Sequence, residues 1–119
     1  INDFFVSAYF GAKNEEIKVC CLDSEMRIIS CRTVIVGEID KARIELRKIV
    51  EEVFRANSAF VIIAHNHPNG SPVPSDADLA ATRVIKNTFD SLGIVLVDHI
   101  IVGRNTAVSM KHTGYFNVL

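Results

Sequence analysis

The 119-residue sequence has no excess of charge of either sign and no long apolar run. Its 13 basic and 14 acidic side chains leave a formal net charge of -1, and without a basic excess we do not expect direct DNA binding. No apolar stretch reaches the roughly 18 residues needed to cross a bilayer, so we expect no membrane span. The chain has no recognisable signal peptide and does not begin with Met. We interpret it as a piece of a longer cytoplasmic protein.

Cysteine is scarce as well, with only Cys20, Cys21 and Cys31, and none of them forms a C-x-x-C pair. The number is odd and two of the three lie in an apolar run, so we predict buried, reduced thiols in a reducing compartment. Apolar residues nevertheless make up 49% of the chain, which is enough for one buried core. Disorder is therefore excluded for most of the sequence.

The pattern of apolar residues predicts one α/β domain with a mixed sheet flanked by helices. The expected elements are a lead-in helix in residues 3–12, strands at 15–23 and 27–36 joined by a turn, a helix from Asp40 to about Ala56, a strand at 59–64, a helix from Ser75 to near Gly93, and strands at 94–102 and 106–110. The first long helix is predicted from an apolar stripe at Ala42, Leu46, Ile49, Val50, Val53 and Phe54.

Residues 65–78, HNHPNGSPVPSDAD, carry the most information about chemistry. Alternate residues of a strand point to the same side, so His65 and His67 can face one point. The Pro- and Gly-containing loop then places Asp78 on the first turn of the next helix. Two imidazoles and one carboxylate suit zinc, and three protein ligands leave a fourth position for water. Such an open position is typical of a catalytic rather than a structural zinc site.

Two simpler interpretations of these residues stay open. An H-x-H pair by itself is often a pair of ordinary polar residues. Ser75-Asp76-Ala77-Asp78 also has the form of a helix capping box, with Asp78 in place of the usual Glu. The interpretations compete only for the Asp78 side chain, because Ser75 can cap the helix and still offer its hydroxyl to a substrate.

The joint pattern resembles a known family. His65-x-His67-Pro68, six residues, Ser75, two residues and Asp78 match the H-x-H-P-x6-S-x2-D signature of the JAMM (JAB/MPN+) metalloproteases. The resemblance implies a three-layer α-β-α fold like that of cytidine deaminases. It also implies a zinc-dependent peptidase or isopeptidase acting on a peptide or protein, in which the Ser75 hydroxyl stabilises the oxyanion. Zinc deaminases themselves need H-x-E and P-C-x-x-C, which are absent here, as is H-E-x-x-H.

Within that family the sequence is similar to the RadC branch. HNHPNG differs by one residue from the branch's usual HNHPSG, and residues 96–103, LVDHIIVG, resemble its DHII-G segment. The resemblance covers about residues 14–114 and implies a RadC-like JAB/MPN domain at 14–119, preceded by a partial lead-in helix at 1–13. The branch's traditional label, DNA repair protein, leaves a metal-dependent nuclease or a non-catalytic module as the alternative function.

The same resemblance implies a general base. The family places a glutamate at the entry to the first strand, in a segment like R-E-x-F, and here that segment is Asn14-Glu15-Glu16-Ile17. Matching Ile17 to the aromatic position assigns the base to Glu15, and Glu16 is the alternative. Neighbouring residues of a strand point to opposite faces, so only one of the two can serve. The departure is Lys48, where the family has a glutamate. His99 is open between a hydrogen-bonded structural residue and a second-sphere partner of the metal.

Overall fold

The computed structural model describes residues 2–37, 40, 44–68 and 70–119. Its elements, in chain order, are α1 (Asn2–Ala8), β1 (Glu16–Leu22), β2 (Ile28–Val36), α2 (Leu46–Arg55), β3 (Phe60–Asn66), α3 (Asp76–Ser91), β4 (Val95–Val102), β5 (Ala107–Ser109) and a C-terminal 3-10 helix (Tyr115–Val118).

The five strands form one mixed sheet in the order β2-β1-β3-β4-β5. β3 and β4 are parallel and are connected through α3, whereas the other neighbouring pairs are antiparallel. The β1–β2 hairpin turns where the sequence predicts it, because the Asp23 side chain accepts hydrogen bonds from the backbone N–H groups of Glu25 and Arg27 at 2.9 Å each. The prediction of a mixed sheet flanked by helices is confirmed.

Side chains alternate between the two faces of the sheet and build a core on each. On one face, which we call the two-helix face, Val19 and Ile63 pack with Ile49 of α2 and Phe89 of α3. On the other face, Cys20, Leu22, Ile62, Ala64 and Ile100 pack against Phe5 and Tyr9, which belong to α1 and the turn after it. Helices therefore cover both faces, giving the three-layer arrangement.

The first long helix begins at Leu46, six residues later than predicted. Asp40 does not cap it and has irregular structure, while Ala42 lies outside the described residues. Ile44 packs against the core before the helix begins, and Glu45 has a non-helical ψ of 75°. Apolar spacing alone cannot detect such an extended entry. Phe54, assigned to the buried stripe, is 57% exposed.

The lead-in helix ends earlier than predicted, at Ala8. A turn follows in which the Ala12 N–H donates to the Tyr9 carbonyl at 3.0 Å, and Gly11 adopts a φ of 77°, which favours glycine. In contrast, β3 continues two residues beyond its predicted end and includes His65. The first imidazole therefore projects from a regular strand.

The prediction of three reduced cysteines is wrong for two of them. Cys20 and Cys31 form a disulfide, and Cys21 is free and buried. Cys20 and Cys31 are register partners on neighbouring antiparallel strands, so their side chains lie on the same face. Counting cysteines cannot reveal such a register. Among the described helices, none combines the length and apolar character that crossing a bilayer requires.

Candidate metal centre

The carboxyl end of β3 presents two imidazoles to one point. His65 lies in the strand and is 3% exposed. His67 follows the strand, and its backbone N–H donates to the Val102 carbonyl of β4 at 2.7 Å. The chain thus stays extended beside β4 and keeps both rings on the same side. Their Nε2 atoms lie 3.2 Å apart.

Asp78 reaches the same point from the first turn of α3. Its side chain is fully buried, with Oδ1 at 3.1 Å from His65 Nε2 and Oδ2 at 3.2 Å from His67 Nε2. One ligand atom from each of the three residues fits within 4.8 Å of the others. The three residues singled out by the sequence therefore come together as a group that can hold a metal ion.

The capping box exists alongside this group. The Asp78 N–H donates to Ser75 Oγ at 3.0 Å, and the Ser75 N–H donates to Asp78 Oδ2 at 2.8 Å. The same oxygen that satisfies the helix N-terminus thus faces His67. Capping and metal ligation are compatible, because the Ser75 N–H orients the carboxylate that points at the imidazoles. The cap uses the Ser75 oxygen as an acceptor and leaves its hydroxyl hydrogen available.

The loop after His67 orients the imidazole of this residue by a hydrogen bond to its other ring nitrogen, Nδ1. His67 Nδ1 donates to the Ser71 carbonyl at 2.8 Å, which directs Nε2 toward Asp78. Gly103 supports this loop, because a Cβ at that position would lie 2.7 Å from Pro72 Cδ and 2.8 Å from the Gly70 carbonyl oxygen. The glycine that ends LVDHIIVG is thus the place where the loop rests against β4.

His99 contacts His65 directly. Its Nε2 lies 2.8 Å from His65 Nδ1, and its Nδ1 lies 2.7 Å from Thr82 Oγ1. His99 is thus a buried, hydrogen-bonded residue that contacts one of the three potential metal ligands, so both interpretations that the sequence left open are compatible with the structure. Thr82 was not singled out by the sequence. The only signal was its spacing of four residues after Asp78, which places both on one face of α3.

The strand register separates the two candidate glutamates. Ile17 is paired with His65 and packs in the core of the two-helix face. Glu15 lies one residue before β1, and continuing the alternation of the strand assigns it to the face of His65. Glu16 belongs to the opposite face, where its Oε1 lies 3.4 Å from Lys18 Nζ. By this alternation, Glu15 is the candidate on the side of the His65–His67–Asp78 group.

Asn66, between the two histidines, holds the backbone on either side of Glu15. Its Oδ1 accepts from the Glu16 N–H at 2.7 Å, and its Nδ2 donates to the Asn14 carbonyl at 3.0 Å. From the other side, the Gly37 N–H donates to the Glu15 carbonyl at 2.9 Å. The β1–β3 ladder ends at the Ile17–His65 pair, and the Asn66 carboxamide extends its hydrogen bonding past Glu15.

Known proteins resemble this chain over most of its length. The family described as "RadC-like JAB domain" matches residues 1–115. The chain belongs to this family. Among curated relatives, a UPF0758 protein of Streptococcus agalactiae is 41% identical over 99 residues, which cover 83% of this chain and 44% of the relative. A UPF0758 protein of Thermotoga maritima is 39% identical over 102 residues, covering 86% and 46%. This RadC-like JAB domain thus spans less than half the length of these relatives.

Proposed function

We propose that this RadC-like JAB domain is a zinc-dependent hydrolase, a metallopeptidase or isopeptidase that cleaves amide bonds in a peptide or protein. The convergence of His65, His67 and Asp78 carries the proposal. Two buried or half-buried imidazoles and one fully buried carboxylate meet there from different elements. Three protein ligands of these types, with a fourth position left for water, are the donor set of catalytic zinc sites.

The spacing of the donor atoms fits this ion. Ligands at about 2.0–2.1 Å from zinc in a tetrahedral arrangement lie roughly 3.3–3.4 Å from one another. The Nε2 atoms of His65 and His67 lie 3.2 Å apart, and the carboxylate oxygens of Asp78 lie 3.1 Å from His65 Nε2 and 3.2 Å from His67 Nε2. Small outward movements of these side chains are enough to admit the ion.

The reaction follows from the groups around this point. Zinc, when bound, supplies water acidified to a pKa near 7 and polarises a substrate carbonyl. The Glu15 carboxylate, on the same face of the sheet, takes a proton from the attacking water and returns it to the leaving amine nitrogen. The Ser75 hydroxyl donates its hydrogen to the developing oxyanion. The Ser71 carbonyl and His99 keep the two imidazoles oriented throughout.

The experiment has a metal arm and a catalytic arm. Elemental analysis of the purified protein is expected to find about one zinc per chain, and His67→Ala is expected to lose it. A peptide library and isopeptide-linked substrates, followed by mass spectrometry, then test cleavage. Glu15→Gln should keep the zinc and lose cleavage, whereas the matched Glu16→Gln control should retain both. Stoichiometric zinc in His67→Ala, or full cleavage by Glu15→Gln, would contradict the assignments. Failure of the zinc-loaded wild type to cleave any substrate would count against amide hydrolysis.

A further inference from the structure

Three buried side chains link the His65–His67–Asp78 group to α3, the helix that carries Asp78. His65, His99 and Thr82 are 3%, 3% and 0% exposed. They lie on three elements, β3, β4 and α3. Thr82 Oγ1 reaches the Asp78 carbonyl at 2.7 Å, so the path that begins at one metal-binding residue ends on the backbone of another.

We infer that Thr82 and His99 are positioning residues that keep the hydrogen of His65 on Nδ1, so that its unprotonated Nε2 faces the metal. The inference rests on the proposed metal site. It concerns the hydrogen on each ring nitrogen, which the chain of contacts determines without reference to the ion.

The direction of the hydrogen bonds is fixed at the Asp78 end. A carbonyl oxygen can only accept, so the single hydroxyl hydrogen of Thr82 points to Asp78. The Thr82 oxygen must then accept from His99 Nδ1, 2.7 Å away. A neutral His99 with its hydrogen on Nδ1 has a bare Nε2.

His65 is the next residue in this series of hydrogen bonds. The bare His99 Nε2 lies 2.8 Å from His65 Nδ1, so His65 must carry its hydrogen on Nδ1. A neutral His65 then has its lone pair on Nε2, the atom that lies 3.1 Å from Asp78 Oδ1. One backbone carbonyl therefore selects the metal-binding tautomer of a histidine three hydrogen bonds away.

An ordinary helical back-bond does not account for this arrangement. Threonine hydroxyls often donate to the carbonyl four residues earlier, but here the same oxygen also lies within hydrogen-bond distance of a buried imidazole. Removing the hydroxyl leaves His99 Nδ1 without this acceptor and removes the reason for one tautomer. His99 can then carry its hydrogen on Nε2, the atom that faces His65 Nδ1. Two hydrogens cannot share this contact, so the His65 ring must rotate or move its own hydrogen to Nε2.

Zinc affinity of two Thr82 variants tests the inference. Thr82→Val keeps the shape and loses the hydroxyl, whereas Thr82→Ser keeps the hydroxyl and loses a methyl group. Competition with a chelator should show that Thr82→Val binds zinc about 10–100-fold more weakly, the usual effect of losing an outer-sphere partner. Thr82→Ser should bind within about threefold of wild type, well below the loss expected for an absent outer-sphere partner. A packing role predicts the opposite order, so weaker binding by Ser than by Val would overturn the inference.

Nitrogen-15 NMR of the histidine rings reads the tautomers directly. In the wild type, His65 and His99 should both carry the hydrogen on Nδ1, with and without zinc. In Thr82→Val, His99 should show a mixture or the other tautomer. An Nε2–H on wild-type His99 would refute the chain of donors, even if zinc binds. If the wild type binds no zinc at all, the proposed function fails, and the tautomers of the metal-free protein still decide the inference.

Discussion

Asp78 is a helix-capping residue and a proposed metal ligand, and two substitutions should separate these roles. Ser75→Ala removes the hydroxyl that accepts the Asp78 N–H at 3.0 Å. Asp78→Asn keeps an oxygen that can accept the Ser75 N–H but replaces the charged zinc ligand with a weak one. We expect Ser75→Ala to reduce stability and Asp78→Asn to reduce the stabilisation by zinc.

The magnitudes follow from general values and the chain length. Losing an N-cap side chain costs about 1 kcal/mol. For 119 residues, an unfolding entropy near 2.1 cal/mol/K per residue makes this about 4 °C in Tm. Free zinc at about 100 times Kd adds roughly 2.7 kcal/mol, or about 11 °C by the same conversion.

The assay is thermal unfolding with zinc and with a chelator. Metal-free Ser75→Ala should melt about 4 °C below wild type and still gain stability on adding zinc. Metal-free Asp78→Asn should lose less than that, and its zinc-dependent shift should be abolished. Ser75→Thr, which keeps a capping hydroxyl, is the control. A wild-type zinc shift in Asp78→Asn would refute ligation by Asp78, and an unchanged metal-free Ser75→Ala would refute the contribution of the cap.

Four further predictions concern the surroundings of the site. Gly103→Ala should weaken zinc binding in chelator competition, because its Cβ would collide with Pro72 and displace the loop that orients the second imidazole; unchanged affinity would contradict this support. Asn66→Asp should leave zinc content unchanged but lower kcat, since it loses the donor to the Asn14 carbonyl while keeping an acceptor; loss of zinc instead would show that Asn66 acts on the metal. The Arg55 hydrogen bond holds the pKa of Glu52 below its usual range, so this carboxylate stabilises the fold above its ordinary pKa and the effect is lost as pH falls through the lower folded value. The stability difference between wild type and Glu52→Gln in urea unfolding should accordingly shrink toward low pH, and a constant difference would refute the linkage. Direct DNA binding should be weak in a fluorescence titration, and a tight, steeply salt-dependent curve would revive the nucleic-acid role.

The sequence was sufficient to group the three proposed metal ligands because their geometry is local. His65 and His67 are two residues apart at a strand end, where the pleat sets their direction. Asp78 follows through a short loop at a helix start that the capping pattern marks. None of these placements depends on a distant strand register. The hydropathy pattern likewise predicted all five strands of the described sheet, because each has its own apolar run.

The position of His99 depends on a register shift between β3 and β4 that the hydropathy pattern does not show. β3 and β4 are paired as Val61 with Leu96 and then Ile62 with Asp98, so Val97 is an extra residue in the ladder. This shift places His99 on the face of His65, next to α3. In a regular ladder the alternation beyond Leu96 would be reversed relative to β3. His99 could therefore not be assigned to the site from spacing alone.

Glu15 is supported by different observations in the sequence and in the structure. From the sequence, the assignment depended on matching Ile17 to the aromatic position of a family segment, and Glu16 was an equally charged neighbour. The structure adds two independent arguments, the pairing of Ile17 with His65 and the two Asn66 hydrogen bonds on either side of Glu15. His65 and His67 thus point toward Asp78, whereas Asn66 between them holds the backbone on either side of the proposed base. If this interpretation is right, changing Asn66 affects proton transfer while the three ligands keep their ion.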